Sequence, residues 1–206
     1  MEILVTGANG LLGNAIFRLR TSEHNWIGTG RGERRPAVPD DVSYFPCDLE
    51  SEEEVKNLFN RVNPDVVIHC AAMTQVDQCE LNPDDCFRAN VQATQNLLQH
   101  MSERARMVFI STDFIFDGTS PMYSEDDEPN PVSIYGDSKL KAEKLVSDAG
   151  DRHAILRTML VYGYAPELSR TNIVLWVKSS LEEGKSIRVV DDQFRCPTLV
   201  DNLAEA

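Results

Sequence analysis

Short apolar runs alternate with longer amphipathic segments along almost the whole chain. The apolar runs, bounded by turn residues, predict strands at 2–6, 26–30, 42–45, 65–69, 107–110, 154–156 and 187–190. Helical periodicity predicts helices at 11–20, 51–62, 83–101, 134–149 and 172–183, with another beginning near residue 203. Strands that alternate with helices indicate an α/β fold, a Rossmann-type doubly wound parallel sheet with right-handed crossovers.

This topology predicts where a ligand would bind. Ligands of open parallel sheets bind beyond the carboxyl ends of the strands. Five residues lie at or just after the ends of predicted strands and should line one cleft: Thr6, Asp48, Ala71, Thr112 and Thr158. Residues 117–133 are rich in Pro, Gly, Ser and acidic side chains, so we expect a surface loop there.

Composition and charge exclude several classes of partner. The 206 residues carry a formal net charge of −13, which argues against nucleic-acid or anionic-membrane binding. No apolar run approaches the roughly 20 residues that cross a bilayer, and residues 2–6 resemble a core strand rather than a signal peptide. The five cysteines lack a Cys-x-x-Cys spacing, and the histidines show no metal-site spacing. We therefore predict a cytoplasmic protein and no metal-ligand residues, while metal dependence and a homodimer stay open.

Three glycines follow the first predicted strand. Gly7, Gly10 and Gly13 have the spacing G-x-x-G-x-x-G and precede the first predicted helix. Glycine permits a tight turn and lets backbone amides approach a pyrophosphate at a helix N-terminus. Because the motif opens a strand–helix unit, it favours dinucleotide binding over plain turn chemistry.

The segment after the second predicted strand bears on the choice between NAD and NADP. An acid there would bind the ribose 2′-hydroxyl, whereas an arginine would accommodate a 2′-phosphate. The strand end has no acid, and Arg31, Arg34 and Arg35 lie within five positions. Since arginine binds phosphate bidentately, NADPH is favoured and NADH stays open. The alternative is a solvated basic turn.

Two other strand ends are expected beside the cofactor. Asp48 and Leu49 follow the third strand, where the carboxylate could accept from the adenine amino group; an ordinary turn is the alternative. Small residues after the fourth strand, including Ala71 and Ala72, would let the backbone pass close to the cofactor. His69 ends that strand and is expected to be a buried histidine with satisfied hydrogen bonds rather than a base.

A Tyr-x-x-x-Lys pair lies on a predicted helix. Tyr135 and Lys139 would share one helix face, and a nearby ammonium lowers a tyrosine pKa toward neutrality. Such a tyrosine can exchange a proton with a carbonyl oxygen. Thr112 would orient that oxygen, Lys139 would also hold the nicotinamide ribose, and Asp113 could bind a substrate hydroxyl. By itself the Tyr–Lys spacing also arises by chance.

Together these residues resemble the extended short-chain dehydrogenase/reductases, and within them the dTDP-4-dehydrorhamnose reductase family with its RmlD-like substrate-binding domain. The matching segments are Ile3-Leu-Val-Thr-Gly-Ala-Asn-Gly10, Pro64-Asp-Val-Val-Ile-His-Cys-Ala-Ala72, Ser111-Thr-Asp-Phe-Ile-Phe-Asp-Gly118, Tyr135-Gly-Asp-Ser-Lys-Leu140, Leu156-Arg-Thr158 and Asp192-Gln-Phe-Arg-Cys-Pro-Thr198.

The resemblance implies an NAD(P)H-dependent oxidoreductase that reduces a 4-keto nucleotide-sugar, dTDP-4-dehydro-6-deoxy-L-mannose, in dTDP-L-rhamnose biosynthesis. It implies an NAD(P)-binding Rossmann domain over 1–158 and the start of a substrate-binding region over 159–206. It places Thr112, Asp113, Tyr135 and Lys139 in the site. It also implies cofactor contacts from Leu11, Leu12, Ala72, Met73 and Thr74.

The chain departs from the family pattern in three ways. Phe114 stands where the family commonly has tyrosine, and Leu160 replaces a frequent tryptophan, which affects the expected sugar contact. Family members also continue beyond residue 206, so the substrate-binding region is expected to be truncated and turnover by this piece to be weak or absent.

Two alternative functions remain. One is a non-catalytic NADP-binding regulatory subunit like the beta subunit of methionine adenosyltransferase, whose arginine-rich turn resembles residues 30–36. The other is a nucleotide-sugar epimerase or dehydratase with tightly held NAD. Dehydratases tend to carry Thr-Asp-Glu where this chain has Thr112-Asp-Phe114, and Phe114 cannot supply the acid for water elimination.

Overall fold

The fold is described from a computed structural model that covers residues 1–120, 122–166, 172–193 and 195–206. Three sequence expectations extend outside these residues. They are the loop over 117–133, the substrate-binding region over 159–206, and the resembling segment 192–198, of which residue 194 is not described.

Within the described residues, six parallel strands form the main sheet in the order β3-β2-β1-β4-β5-β6. The strands are β1 (Glu2–Thr6), β2 (Asn25–Gly30), β3 (Ser43–Pro46), β4 (Val66–His69), β5 (Arg106–Thr112) and β6 (Ala154–Thr158). The order reverses direction between β1 and β4, which is the switch point of a doubly wound sheet. The predicted Rossmann-type fold class is therefore confirmed.

Helices connect the strands and cover both faces of the sheet. They are α1 (Leu11–Leu19), α2 (Glu52–Arg61), α3 (Val76–Leu81), α4 (Pro83–Phe87), α5 (Ala93–His100), α6 (Ile134–Asp148), α7 (Ile173–Glu182) and α8 (Val200–Glu205). A π-helical turn (Arg88–Gln92) joins α4 to α5, and a 3₁₀ turn (Asp113–Ile115) follows β5. In the described residues no helix is both long and apolar enough to cross a bilayer.

The core has one layer on each face of the sheet because successive strand residues point to opposite sides. Leu4 and Val67 lie in the layer that α2, α5 and α6 cover, with Phe109 in the same cluster. Val5 packs on the other side with Phe17 of α1. Because α1 also packs against α8, the last described helix closes over this second layer.

The predicted strand at 187–190 is wrong. These residues form no strand, and Val189 and Val190 are mostly exposed. A strand needs a hydrogen-bonding neighbour, which β-branched composition alone does not supply. The small second sheet instead pairs β7 (Val161–Tyr162) with β8 (Thr198–Leu199) in parallel.

The long helix predicted over 83–101 is interrupted and is preceded by another helix. Helix α3 was missed because its six residues contain too few turns to show a helical period. The π-helical turn was also missed, since an inserted residue in a helix leaves no periodic signal.

Candidate active site

The glycine turn makes a cradle at the carboxyl end of β1. Gly7 has φ +66°, and a Cβ there would lie 2.9 Å from the amide nitrogen of Ala71. A Cβ on Gly13 would lie 2.6 Å from the carbonyl oxygen of Gly7. Gly10 caps α1 and donates its N–H to the Gly7 carbonyl at 2.8 Å. This close backbone, at the positive end of a nine-residue helix, fits a dinucleotide pyrophosphate.

A cavity opens beside this turn, between the ends of β1, β2, β3 and β4. Six of the predicted cofactor residues line it: Gly7, Arg31, Asp48, Leu49, Ala71 and Ala72. Gly30, Cys47, Glu50, Ala89 and Ala93 complete its wall. Asp48 uses a carboxylate oxygen to accept the N–H of Glu50 at 3.1 Å, which fixes the turn after β3. The arrangement brings polar groups and small residues around a space suited to an adenosine.

The remaining predicted cofactor contacts lie outside this cavity. Leu11 and Leu12 begin α1, and Leu12 packs against the core layer beneath it. Met73 packs against the cluster that contains Tyr135, and Thr74 is exposed on the loop after β4.

The three arginines after β2 do not act as one cluster. Arg31 lines the cavity, whereas the side chain of Arg34 forms an ion pair with Asp40. The backbone N–H of Arg35 donates to the side chain of Asn9 at 3.0 Å. Sequence spacing could not separate these arginines because it does not show which of them a local carboxylate engages.

Two polar residues missed at the sequence level attach the basic turn to the glycine turn. Asn9 donates its side-chain amide to the Tyr44 hydroxyl at 2.9 Å and to the Glu33 carbonyl at 3.0 Å. The Tyr44 hydroxyl donates to the backbone carbonyl of Gly30 or Gly32, each at 3.1 Å. The Asn9 position inside the glycine motif was the available signal.

The candidate catalytic side chains meet at the carboxyl end of β5. Tyr135 is 7% exposed and its hydroxyl lies near the Thr112 side chain, which itself donates to the Asp113 carboxylate at 3.2 Å. Phe114 packs edge-on against Tyr135, with ring centroids 5.6 Å apart. Lys139 is 2% exposed and donates its ammonium to the Ile110 carbonyl at 2.7 Å. The structure therefore brings the predicted threonine, tyrosine and lysine to one buried edge of the sheet.

The predicted lowering of the Tyr135 pKa is wrong. Burial raises the pKa of Tyr135 to about 12, the nearby Thr112 hydroxyl opposes the rise, and the Asp113 carboxylate adds to it. Burial lowers the pKa of Lys139 to about 7, while Glu143 acts to raise it. Helical spacing correctly placed the two groups on one face, but removal from water is the largest influence on both pKa values.

Asp113 is engaged by a residue that sequence reasoning missed. Arg195 donates to its carboxylate at 3.0 Å and also lies over the Phe114 ring, 4.5 Å from the centroid. Arg195 belongs to one of the resembling segments, yet 82 positions separate it from Asp113. Arg195 thus binds the carboxylate that we expected to be free for a sugar hydroxyl.

Asn90 joins the cofactor side of the site to the catalytic helix. Its side chain accepts the Met73 N–H at 2.8 Å and donates to the Met73 carbonyl at 3.0 Å. It also donates to the Ser138 hydroxyl at 2.9 Å, which in turn donates to the Tyr135 carbonyl at 2.7 Å. Asn90 is 1% exposed in the π-helical turn, a feature found frequently at functional sites.

His69 is a buried histidine with both ring nitrogens satisfied, as predicted. It interacts with the Thr6 hydroxyl at 2.7 Å and with the Thr94 hydroxyl at 3.2 Å. Burial lowers the pKa of His69 to about 3, with Lys139 contributing. Across the described part of the chain, no group of three or more His, Cys, Asp or Glu residues could hold a metal ion.

The sequence profile of the RmlD substrate binding domain matches residues 1–206. Methionine adenosyltransferase 2 subunit beta of Rattus norvegicus is 35% identical over 204 residues, which are 98% of this chain and 60% of that protein. The probable low-salt glycan biosynthesis reductase Agl14 of Haloferax volcanii is 37% identical over 208 residues, 99% of this chain and 68% of that protein. The chain thus spans about 60% of the length of its first curated relatives.

Solved structures share this architecture. A dTDP-4-dehydrorhamnose reductase, an RfbD ortholog from Clostridium acetobutylicum, superposes with a TM-score of 0.84 at 35% identity, covering all of this chain and 68% of that one. A dTDP-4-dehydrorhamnose reductase from Bacillus anthracis in complex with NADP gives a TM-score of 0.82 at 29% identity, covering 99% and 68%.

Proposed function

The chain belongs to the RmlD substrate-binding domain family, and we propose that the whole protein reduces a 4-keto nucleotide-sugar with NADPH. The first substrate to test is dTDP-4-dehydrorhamnose. The observation that carries the proposal is the Thr112–Tyr135 pair, buried at the end of β5 on the same sheet edge as the glycine cradle. Membership supports a nicotinamide-binding oxidoreductase of the nucleotide-sugar reductase class.

Tyr135 is the proposed acid. A reduced nicotinamide, when bound, would supply the hydride to the carbonyl carbon. Because the pKa of Tyr135 is raised to about 12, the phenol carries its proton at neutral pH and can give it to the carbonyl oxygen. Thr112 would hold that oxygen by a hydrogen bond, and Lys139, in its protonated form, would stabilise the phenolate that remains.

The cofactor contacts are proposed to run along the whole sheet edge. Gly7, Gly10 and Gly13 would hold the pyrophosphate, with Leu11 and Leu12 beside it. Met73 and Thr74 would lie toward the nicotinamide, together with Lys139. The Rossmann domain over 1–158 would supply these contacts.

The substrate-binding region over 159–206 would reach the sugar through Arg195. Because Arg195 already engages Asp113, the pair would act together on the sugar hydroxyls. A cytoplasmic location and a homodimer stay predictions.

The function is tested by following NADPH oxidation after addition of dTDP-4-dehydrorhamnose to the full-length protein. We expect turnover by the wild type and a loss of at least about 100-fold in kcat for Tyr135→Phe, which removes only the acidic hydroxyl. NADPH binding by the variant should be unchanged, because its ring still packs against Phe114. Wild-type rates in Tyr135→Phe would refute the proposed acid.

A second candidate is a subunit that binds NADP without turnover. The identity of 35% to methionine adenosyltransferase 2 subunit beta favours it. NADPH binding with no oxidation of any 4-keto nucleotide-sugar by the full-length protein would support this candidate. An intact Thr112–Tyr135 pair favours the reductase.

A further inference from the structure

Glu50 lies between two arginines at the mouth of the adenosine cavity. One of its carboxylate oxygens is 3.5 Å from the Arg31 guanidinium, and the other is 3.5 Å from Arg88. Glu50 and Arg31 both line the cavity, and so does Ala89, the neighbour of Arg88. The carboxylate is 24% exposed, whereas the Arg31 side chain is 73% exposed. The end of β2 has no acidic residue, but Glu50 places a carboxylate beside Arg31.

The backbone holds Glu50 in this place. Its N–H donates to the Asp48 carboxylate at 3.1 Å, and its carbonyl accepts from the Asn96 side chain at 3.3 Å. Asn96 is 1% exposed and also donates to the Leu49 carbonyl at 2.8 Å. The backbone of Glu50 is thus held at both its N–H and its carbonyl, and its side chain extends from this turn to the mouth of the cavity.

Arg31 is the residue at which the two cofactors would differ. It follows Gly30 at the end of β2, where this fold places the adenosine ribose and its 2′ substituent. An ion pair as exposed as Arg31–Glu50 is weak. A phosphate offers arginine shorter, charge-assisted and bidentate bonds, so it can displace the carboxylate.

We propose that Glu50 determines cofactor specificity by competing with the 2′-phosphate of NADPH for Arg31. The inference rests on the proposed use of NADPH. Phosphate binding would release Glu50 to Arg88, which already contacts its second oxygen. NADH has no 2′-phosphate and would leave the Arg31–Glu50 pair in place. Glu50 therefore weakens the binding of NADPH but not that of NADH. It reduces the ratio of the affinity for NADPH to the affinity for NADH.

The test measures binding in the absence of any sugar, so it does not depend on the reductase reaction. Fluorescence titration gives Kd for NADPH and NADH, and displacement gives Kd for adenosine 2′,5′-bisphosphate and adenosine 5′-monophosphate. For Glu50→Gln we expect NADPH and the bisphosphate to bind about three- to fivefold more tightly, the effect of losing one exposed ion pair. Binding of NADH and the monophosphate should be unchanged.

Two further variants make the result specific. Glu53→Gln removes the same charge from an exposed position nearby on α2 and should leave all four Kd values unchanged. Arg31→Met should weaken NADPH binding by more than about tenfold, as expected for a charge-assisted pair. In the double variant Arg31→Met/Glu50→Gln, the gain from Glu50→Gln should disappear, because the two residues act on each other.

Three results would overturn the inference. Weaker NADH binding by Glu50→Gln would show that the carboxylate holds the ribose hydroxyls instead. An equal gain for all four ligands, or for Glu53→Gln, would show a general charge effect. A full gain in the double variant would show that Glu50 acts independently of Arg31.

Discussion

At the scale of single residues, the hydrogen bonds around His69 assign its proton. The Thr94 hydroxyl donates to the Asn90 carbonyl at 2.6 Å, so its oxygen must accept from the Nε2–H of His69. The Nδ1 atom then accepts from Thr6, whose oxygen accepts the Ala71 N–H. The donors and acceptors form one directed chain from the loop after β4 to the π-helical turn. His69 is neutral in this arrangement.

Stability should therefore fall in acid because of His69. Its pKa falls from 6.5 to about 3 on folding, so between these values only the unfolded chain binds the proton. The free energy of unfolding should decrease as pH falls through this window, by up to about 1.4 kcal/mol per pH unit from this group. The free energy of unfolding, measured by denaturant titration at several values between pH 4 and 8, should change less steeply with pH for His69→Gln than for the wild type.

The control for this prediction lies in the same data. Close to pH 8, His69 is almost entirely neutral in both folded and unfolded chains, so the free energies of unfolding of wild type and His69→Gln should change in parallel with pH there. Identical slopes for the two proteins below pH 6 would contradict the assignment of a neutral buried histidine.

At the scale of elements, the π-helical turn connects the loop after β4 with α6. Asn90 lies in this turn and forms hydrogen bonds with both Met73 and Ser138. Its amide oxygen accepts one backbone N–H, and its amide nitrogen donates to one backbone carbonyl and one hydroxyl, so the amide orientation is fixed. The turn thereby connects the backbone of Met73, through Asn90 and Ser138, to the backbone of Tyr135.

Asn90→Asp should be strongly destabilising although the shape is nearly unchanged. A carboxylate oxygen would replace the amide group that donates to Met73 and Ser138, and Ser138 cannot donate in return because it already bonds the Tyr135 carbonyl. We expect a loss of at least about 2 kcal/mol in the free energy of unfolding. Denaturant titration measures it, with Asn57→Asp on the exposed face of α2 as a control that should change stability by less than about 0.5 kcal/mol. A neutral Asn90→Asp would remove Asn90 from its positioning role.

Regular elements could be predicted from sequence where burial imposes a pattern. Strands such as β1 and β4 are covered on both faces, so each is a continuous apolar run between turn residues. The residues over 187–190, Ile-Arg-Val-Val, are also rich in β-branched side chains but have no neighbouring strand, and the residue types of a segment do not show whether another strand pairs with it. The π-helical turn gave no signal because it changes the phase of a helix without changing its residue types.

At the scale of the whole molecule, the sheet edge gathers residues from distant parts of the chain. Local motifs were sufficient to predict where Gly7, Thr112 and Tyr135 lie in the fold, because each lies at a strand end or on a helix face. Contacts such as Arg195 with Asp113 and Glu50 with Arg31 depend on how separate segments pack, and no linear spacing records them. The pKa of Tyr135 likewise depends on burial, which only the assembled fold determines.

The central claim is that the site at this sheet edge promotes hydride transfer from NADPH to a 4-keto nucleotide-sugar. It is tested most directly by incubating the full-length protein with dTDP-4-dehydrorhamnose and NADPH deuterated at either prochiral position of nicotinamide C4. Mass spectrometry and NMR of the product should find one deuterium at C4 of the sugar from one of the two labelled cofactors and none from the other. NADPH that binds without any transfer of deuterium to the sugar would contradict the claim.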